Sequence, residues 1–321
     1  MRAIRTVFLA ITLSSAFACA HATTDYPAKA VRVLVGSPPG APSDLVARIL
    51  ADELGRRLKQ AFVVENRPGA NNGLAAQLAA KSPPDGYTLL VTPDTVVTVN
   101  PLVYTKMDFD PRTDLAPVAL VANFNQMMVC NAALGITSMK QLMDRARSSS
   151  MTYASGGPGS PGHLAAELVL RGAGVSMTHI PFKGPSPATT AVMGGQVDCG
   201  FLATPTVLPH IQSGRLSALA VSSARPSPMA PSIPTLPQAG LPGIDASFNQ
   251  YLMAPSATPA ALLQTLQRTV SEILNEESVR QKLTSLDLTP VGSTGTEAEA
   301  TLRRDAQKWA DVVKRIDIKL E

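Results

Sequence analysis

Residues 30–58, AVRVLVGSPPGAPSDLVARILADELGRRL, decide how the rest of the chain is read. Ala30 to Gly36 is a short run rich in valine and predicts a first strand. Ser37-Pro38-Pro39-Gly40-Ala41-Pro42 suits the interior of neither a helix nor a strand, so it predicts a loop. Beyond it Leu45, Val46, Ile49, Leu50, Leu54 and Leu58 recur at helical spacing and form one apolar face. Ser43 or Asp44 stands where a helix cap is needed. A strand, a tight loop and an amphipathic helix in that order open a β-α-β unit.

The same grammar continues along the chain. Ala61 to Glu65 and Tyr87 to Thr92 predict two more strands. Further strands are expected at Asn125 to Asn131, Met151 to Ser155, Met177 to Phe182, Val197 to Leu202 and Leu216 to Val221. Helical segments fall between them at 138–147, 161–171, 186–193 and 206–212. Arg225 to Gly243 is rich in proline and reads as an extended connection. A strand at Gln250 to Ala254 and helices near 259–275, 277–285 and 296–316 complete the chain. No repeat or low-complexity tract interrupts it. The alternation predicts an α/β protein with mostly parallel sheets flanked by helices.

The first 22 residues read as an export signal. Arg2 and Arg5 precede a short apolar run from Val7 to Ala18, and Ala20-His21-Ala22 supplies an A-x-A cleavage pattern. The run is about 12 residues, whereas a bilayer needs roughly 20. A periplasmic location is therefore expected. Acylation of Cys19 is the rival, disfavoured by the bulk of Phe17. What remains, about 300 residues, exceeds one ordinary hydrophobic core, so two domains are expected. Residues 23–123 and 248–321 are assigned to one and 124–247 to the other. The chain would then cross the boundary twice, leaving a cleft with a hinge.

The formal charge is +4, two units of which leave with the signal, and aromatic residues are only 4%. Neither a basic face nor a stacking platform for nucleic acid is indicated. Cys130 and Cys199 read as two small buried thiols in strands, with a bridge between them as the alternative.

Three loops rich in glycine or hydroxyl residues each follow an expected strand: Ser37–Asp44, Thr92–Thr95 and Ser155–Gly162. Ligands of open α/β sheets collect outside the carboxyl ends of strands. Helix starts there carry partial positive charge and favour anions. Enzymatic readings fail on inspection. Gly157, Gly159 and Gly162 match G-x-G-x-x-G, but the next strand ends in Phe182 and Lys183 without the acidic residue a dinucleotide requires. Ser160 lacks the glycine two residues earlier that a nucleophile elbow requires. His163, His179 and His210 show no metal-ligand spacing, and no catalytic pair, metal site or cofactor is expected.

Several strings carry a family resemblance. They are Tyr26-Pro27, Val35–Asp44, Val64-Glu65-Asn66-Arg67-Pro68-Gly69-Ala70, Pro84-Asp85-Gly86-Tyr87-Thr88-Leu89-Leu90, Tyr153-Ala154-Ser155, Gly194-Gly195-Gln196-Val197-Asp198 and Pro290-Val291-Gly292-Ser293. Together they resemble the Bug-type (Bordetella uptake gene) receptors of tripartite tricarboxylate transporters. The resemblance implies a two-domain clamshell of the periplasmic-binding type, close to type II. It implies a small carboxylate ligand (an amino acid, a di- or tricarboxylate or an aromatic carboxylate) held by backbone amides and hydroxyls. It also implies a monomer whose partners are membrane transporter subunits or a sensor kinase. Carried over by motif, the ligand-binding residues are Ser37, Gly40, Ala41 and Ser43, then Thr92, then Ser155, Gly157, Gly159 and Ser160. Phe182, Lys183, Gly184, Ala203 and Thr204 would line the second domain's wall. The chain departs from the family pattern at Ser37, Gly40-Ala41, Asn71-Asn72-Gly73, Phe182 and Ala203-Thr204, most of them at the expected cleft.

Overall fold

The computed structural model describes residues 26–316 and 318–320. The expected signal at residues 1–22 lies outside them. In the first part of the chain strands β1 (Val31–Val35), β2 (Phe62–Asn66), β3 (Thr88–Pro93) and β4 (Leu115–Phe124) alternate with helices α1 (Pro42–Leu58), α2 (Gly73–Ala80), α3 (Thr95–Thr98) and α4 (Asn100–Val103). The middle contributes β5 (Gln126–Asn131), α5 (Met139–Ser148), β6 (Thr152–Ser155), α6 (Pro161–Gly172), β7 (Thr178–Pro181), α7 (Pro185–Met193), β8 (Cys199–Ala203), α8 (Thr204–Gln212) and β9 (Leu216–Val221). The last part holds β10 (Phe248–Pro255), α9 (Ala260–Asn275), α10 (Glu277–Thr284), β11 (Leu288–Pro290) and α11 (Gly295–Ile316).

These elements build two α/β domains on two sheets. One sheet has the order β11-β4-β10-β3-β1-β2 and the other β7-β6-β8-β5-β9. Crossover helices keep β1, β2 and β3 parallel, and β6 parallel to β7 and β8. The remaining pairs are antiparallel, so both sheets are mixed, not mostly parallel. The cause is the double crossing. β4 runs into β5 through the single residue Asn125, and β10 brings the chain back alongside β4 in the opposite direction.

β4, at the heart of the first sheet, is an element that sequence patterning did not predict. Its run Leu115-Ala116-Pro117-Val118-Ala119-Leu120 contains a proline, which argues against a central strand. The pairing accommodates it by a register shift: Leu252 faces Ala119 while Met253 faces Pro117, leaving Val118 as an extra residue. The short β11 and helices α2, α3 and α4 were likewise not anticipated.

The core is apolar and falls, among the described residues, into three clusters, the largest of which draws on both domains. The α1 face of Val46, Ala47, Leu50 and Leu54 is fully packed against the first sheet. Such burial contributes roughly 1.5–3 kcal/mol per large side chain. On the opposite end Trp309 of α11 stacks on Phe248 with ring centroids 4.7 Å apart. In the second domain Cys130 and Cys199 face each other across β5 and β8 and are joined in a disulfide. The expectation of two free thiols is thereby corrected. What decided it is antiparallel register, which spacing along the chain does not reveal.

Candidate functional site

Between the two sheets lies a cavity of about 220 Å³ to which both domains contribute walls. Its first wall is the β1–α1 loop. Gly36 must be glycine, because a Cβ there would stand 2.5 Å from the Cα of Asn72. Gly40 turns the chain at φ +79° and donates its N–H to Asp44 Oδ2 at 2.9 Å. Ala41 is the residue that caps α1 and Pro42 fills the first helical position, so neither Ser43 nor Asp44 is the cap itself. Asp44 serves the helix start differently. Burial alone would raise its pKa, but Arg48, the Gly40 N–H and the Asn66 amide outweigh that and hold the carboxyl below its ordinary range. Ser43 Oγ donates to Gln250 Oε1 at 2.8 Å. As the second residue of α1, Ser43 has no intrahelical acceptor for its N–H, which lies at the positive end of the helix.

The facing wall is the β6–α6 loop. Ser160 caps α6, its Oγ accepting the His163 N–H at 3.4 Å, and Pro161 again takes the first helical position. Gly162 sits so close to β8 that a Cβ would come within 2.1 Å of the Phe201 carbonyl oxygen. Beneath the loop, Tyr153, His163 and His179 form a stack, with the two imidazoles 4.1 Å apart. Burial lowers the His163 pKa to about 4. Burial, with a contribution from His163, does the same for His179. Both rings are therefore neutral at pH 7 and hold the loop by hydrogen bonds: His163 Nδ1 accepts the Gly159 N–H at 3.0 Å, and His179 Nε2 pairs with Ser155 Oγ at 2.7 Å. Helices α7 and α8 begin at the same cavity, capped by Gly184 and Ala203.

Of the residues carried over by motif, Ser37, Ala41, Ser43, Gly157, Ser160, Phe182, Lys183, Gly184 and Ala203 line this cavity together. Thr92, Ser155, Gly159 and Thr204 are buried one layer behind it, and Gly40 is exposed to solvent outside it. Thr92 is wholly buried and yields the wall to Pro93. Ser155 is wholly buried, its Oγ engaged by His179 and by the Gly157 N–H. Thr204 is also wholly buried and turns its hydroxyl to the Asn125 carbonyl. Gly159 packs on Val103 and Asn71 instead.

The sequence reading passed over Asn71, Asn72, Tyr104, Phe124, Gln126 and Gln250, all of which line the cavity. A signal for two of them existed. The tripeptide Phe-Asn-Gln occurs at 124–126 and again at 248–250, at the two places where the chain passes between domains. A glutamine in a strand with no exposed face has to point at something polar.

The walls already touch. Asn71 Nδ2 donates to the Gly159 carbonyl at 2.9 Å and Ser186 Oγ to the Pro39 carbonyl at 3.2 Å. Gly184 lies against Pro38, where a Cβ would meet the ring at 2.5 Å. The chain is thus in a closed arrangement around the cavity. Among the described residues no cluster of His, Cys, Asp and Glu could hold a metal ion, and no helix is long and apolar enough to cross a membrane.

Comparison with known proteins gives a consistent picture. The profile of the tripartite tricarboxylate transporter family receptor matches residues 46–318. Protein BugT of Bordetella pertussis is 33% identical over 317 residues, covering 98% of this chain and 97% of that protein. The solved structure of R. palustris Rpa4515 with adipate superposes with a TM-score of 0.89 at 31% identity, covering 92% of this chain and 99% of that one. MatC from Rhodopseudomonas palustris with bound malate gives a TM-score of 0.84 at 29% identity, covering 90% of this chain and all (100%) of that one.

Proposed function

The chain belongs to the tripartite tricarboxylate transporter receptor family, and from that premise we propose that it captures a small carboxylate between its two domains and hands it to membrane transporter subunits for uptake. It is a solute-binding receptor of the periplasmic type, and the family is one of receptors, not of enzymes. The observation that carries the carboxylate reading is the meeting of helix starts at one cavity. α1 comes from one domain and α6, α7 and α8 from the other, and Lys183 is the single charged side chain in the lining. Unbonded backbone N–H groups and helix dipoles hold an anion without a matching guanidinium. Relatives binding adipate and malate support the same chemistry.

Residues 23–123 and 248–321 act as one body and 124–247 as the other, pivoting at Phe124-Asn125 and at Ser247-Phe248. Closure is stabilised by ligand contacts that the open form lacks. The lining residues named by motif, with the four just behind them and Gly40 on the loop between, form the binding region.

Thermal unfolding against a panel of carboxylates, with native mass spectrometry of the purified protein, tests this. A ligand at about 100 times its dissociation constant adds roughly 2.7 kcal/mol of stability. A rise in Tm with one carboxylate class and no turnover of that compound is expected. A flat response across the panel with no co-purified anion would sink the reading.

A further inference from the structure

Between β2 and α2 the chain holds Ala70, Asn71 and Asn72 in succession at φ +46°, +47° and +67°. Left-handed backbone is costly outside glycine and persists only where the surroundings fix it. From this run and what it touches, and resting on the solute-binding reading above, we infer that Asn71 is a latch. It holds the closed cleft shut and sets how fast the solute leaves.

The run is fixed from behind. A Cβ on Gly36 would stand 2.5 Å from Asn72 Cα, so the two segments pack backbone to backbone. Gly73 donates its N–H to the Ala70 carbonyl at 2.8 Å. Asn100 of α4, wholly buried, grips Asn71 twice. Its Nδ2 donates to the Asn71 carbonyl at 3.1 Å, and its Oδ1 accepts from Asn71 Nδ2 at 2.8 Å. The same Asn71 Nδ2 reaches across to the second domain and donates to the Gly159 carbonyl at 2.9 Å.

Gly159 is placed as firmly on its own side. It turns at φ +71°, and His163 Nδ1 accepts its N–H at 3.0 Å. A Cβ added there would meet Val103, Asn71 and Val99 within 4 Å, so the glycine sits in a corner of the first domain. Neither partner has to be ordered when the domains close, and little conformational entropy opposes the bond. A second polar contact across the mouth, Ser186 Oγ to the Pro39 carbonyl, is longer at 3.2 Å and open to solvent.

The Asn71 bond forms only when the domains meet, so it stabilises the closed form whatever the solute is. Asn71 is accordingly a positioning residue that acts through Gly159. It stands in the stretch Asn71-Asn72-Gly73, where the chain departs from the pattern of its family. Because Asn71 also lines the cavity, the test has to separate a latch from a direct contact with the solute.

Surface plasmon resonance of the immobilised mature protein with adipate, malate, citrate and benzoate makes that separation. Asn71→Gly keeps the left-handed backbone and removes the amide. It should raise the dissociation rate by roughly two- to tenfold, the scale of one hydrogen bond, and by the same factor for every solute bound. Association rates should stay nearly unchanged. Asn100→Ala alters a side chain outside the lining and should act in the same direction. Combined with Asn71→Gly it should add nothing further, because both changes release one hook. A factor that differs from solute to solute, or single effects that simply add, overturns the latch in favour of direct contact. An unchanged dissociation rate in Asn71→Gly overturns it as well. Where one solute alone binds, the double variant decides, and where Asn100→Ala fails to fold, the comparison across solutes decides. Silence of the unaltered protein with all four overturns the solute-binding reading itself, and the latch with it.

Discussion

The two walls of the cavity are built with the same device and are held up by opposite means. On each, a strand ends in a loop whose last residues place a proline at the first position of a helix, Pro42 in α1 and Pro161 in α6. The first wall is braced by charge, with Asp44 tied to Arg48 and Asn66. The second is braced by neutral rings and a covalent staple: Tyr153, His163 and His179 in a stack, and Cys130 bridged to Cys199 in the strands beneath. Equivalent geometry at a cavity thus does not require equivalent support, and the two supports respond to different reagents.

Reduction should separate the walls most. The bridge spans 69 residues, and losing it removes about 4 kcal/mol by the chain-entropy rule. The double variant Cys130→Ala, Cys199→Ala should unfold its second domain at lower urea than its first. Coincident loss of both domains at the unaltered midpoint would show that the staple contributes nothing to this asymmetry.

Acid should come next. His163 has its pKa lowered by burial from 6.5 to about 4, so between these values the unfolded chain binds a proton that the folded chain does not. Stability is therefore lost as pH falls from 6.5 towards 4, by on the order of 3 kcal/mol from this ring. Asp44 is depressed below the carboxylate range, so its contribution is intact throughout that window and fades only at lower pH. His163→Gln should flatten the slope of stability between pH 6.5 and 4. An unchanged slope would place the acid sensitivity elsewhere.

Single hydroxyls come third. Ser43→Ala leaves the buried Gln250 oxygen without a partner and should cost about 1–3 kcal/mol in urea unfolding. Ser160→Ala removes a helix cap and should cost about 1 kcal/mol. If Ser160→Ala proves the more damaging, the second wall depends on its cap more than on its stacked rings.

The smallest effect belongs to Lys183. It lines the cavity yet its side chain is exposed, where salt screens charge within about 10 Å. Lys183→Met should lower the association rate severalfold at low ionic strength and little at high. A loss of affinity independent of salt would mean that the ammonium contacts the solute directly.

Much of the architecture was legible. The run from Ala30 to Leu58 predicted β1 and α1 to within a few residues, because a change from β-type to helical periodicity around a proline loop has few other readings. The strands of the second domain and the terminal helices were found the same way. β4 escaped because Pro117 disguises a strand, and α2 because it is only eight residues long and follows a loop of unusual backbone conformation. Three consecutive residues there, Ala70, Asn71 and Asn72, take positive φ, a conformation that glycine or asparagine tolerates and that sequence patterning does not expect of alanine.

Of the cavity, the loops could be read from the sequence but the strands that line it could not. Local composition determined that Ser37–Asp44 and Ser155–Gly162 would be loops opening helices, since φ restrictions on proline and freedom of glycine act within a few residues. Only the tertiary structure decided that Gln126 and Gln250, some 120 positions apart, would line one cavity, or that Cys130 would meet Cys199. Those outcomes follow from strand register and from which side of a pleat a residue occupies. Register is fixed by how whole sheets pack, and no short stretch of the sequence contains it.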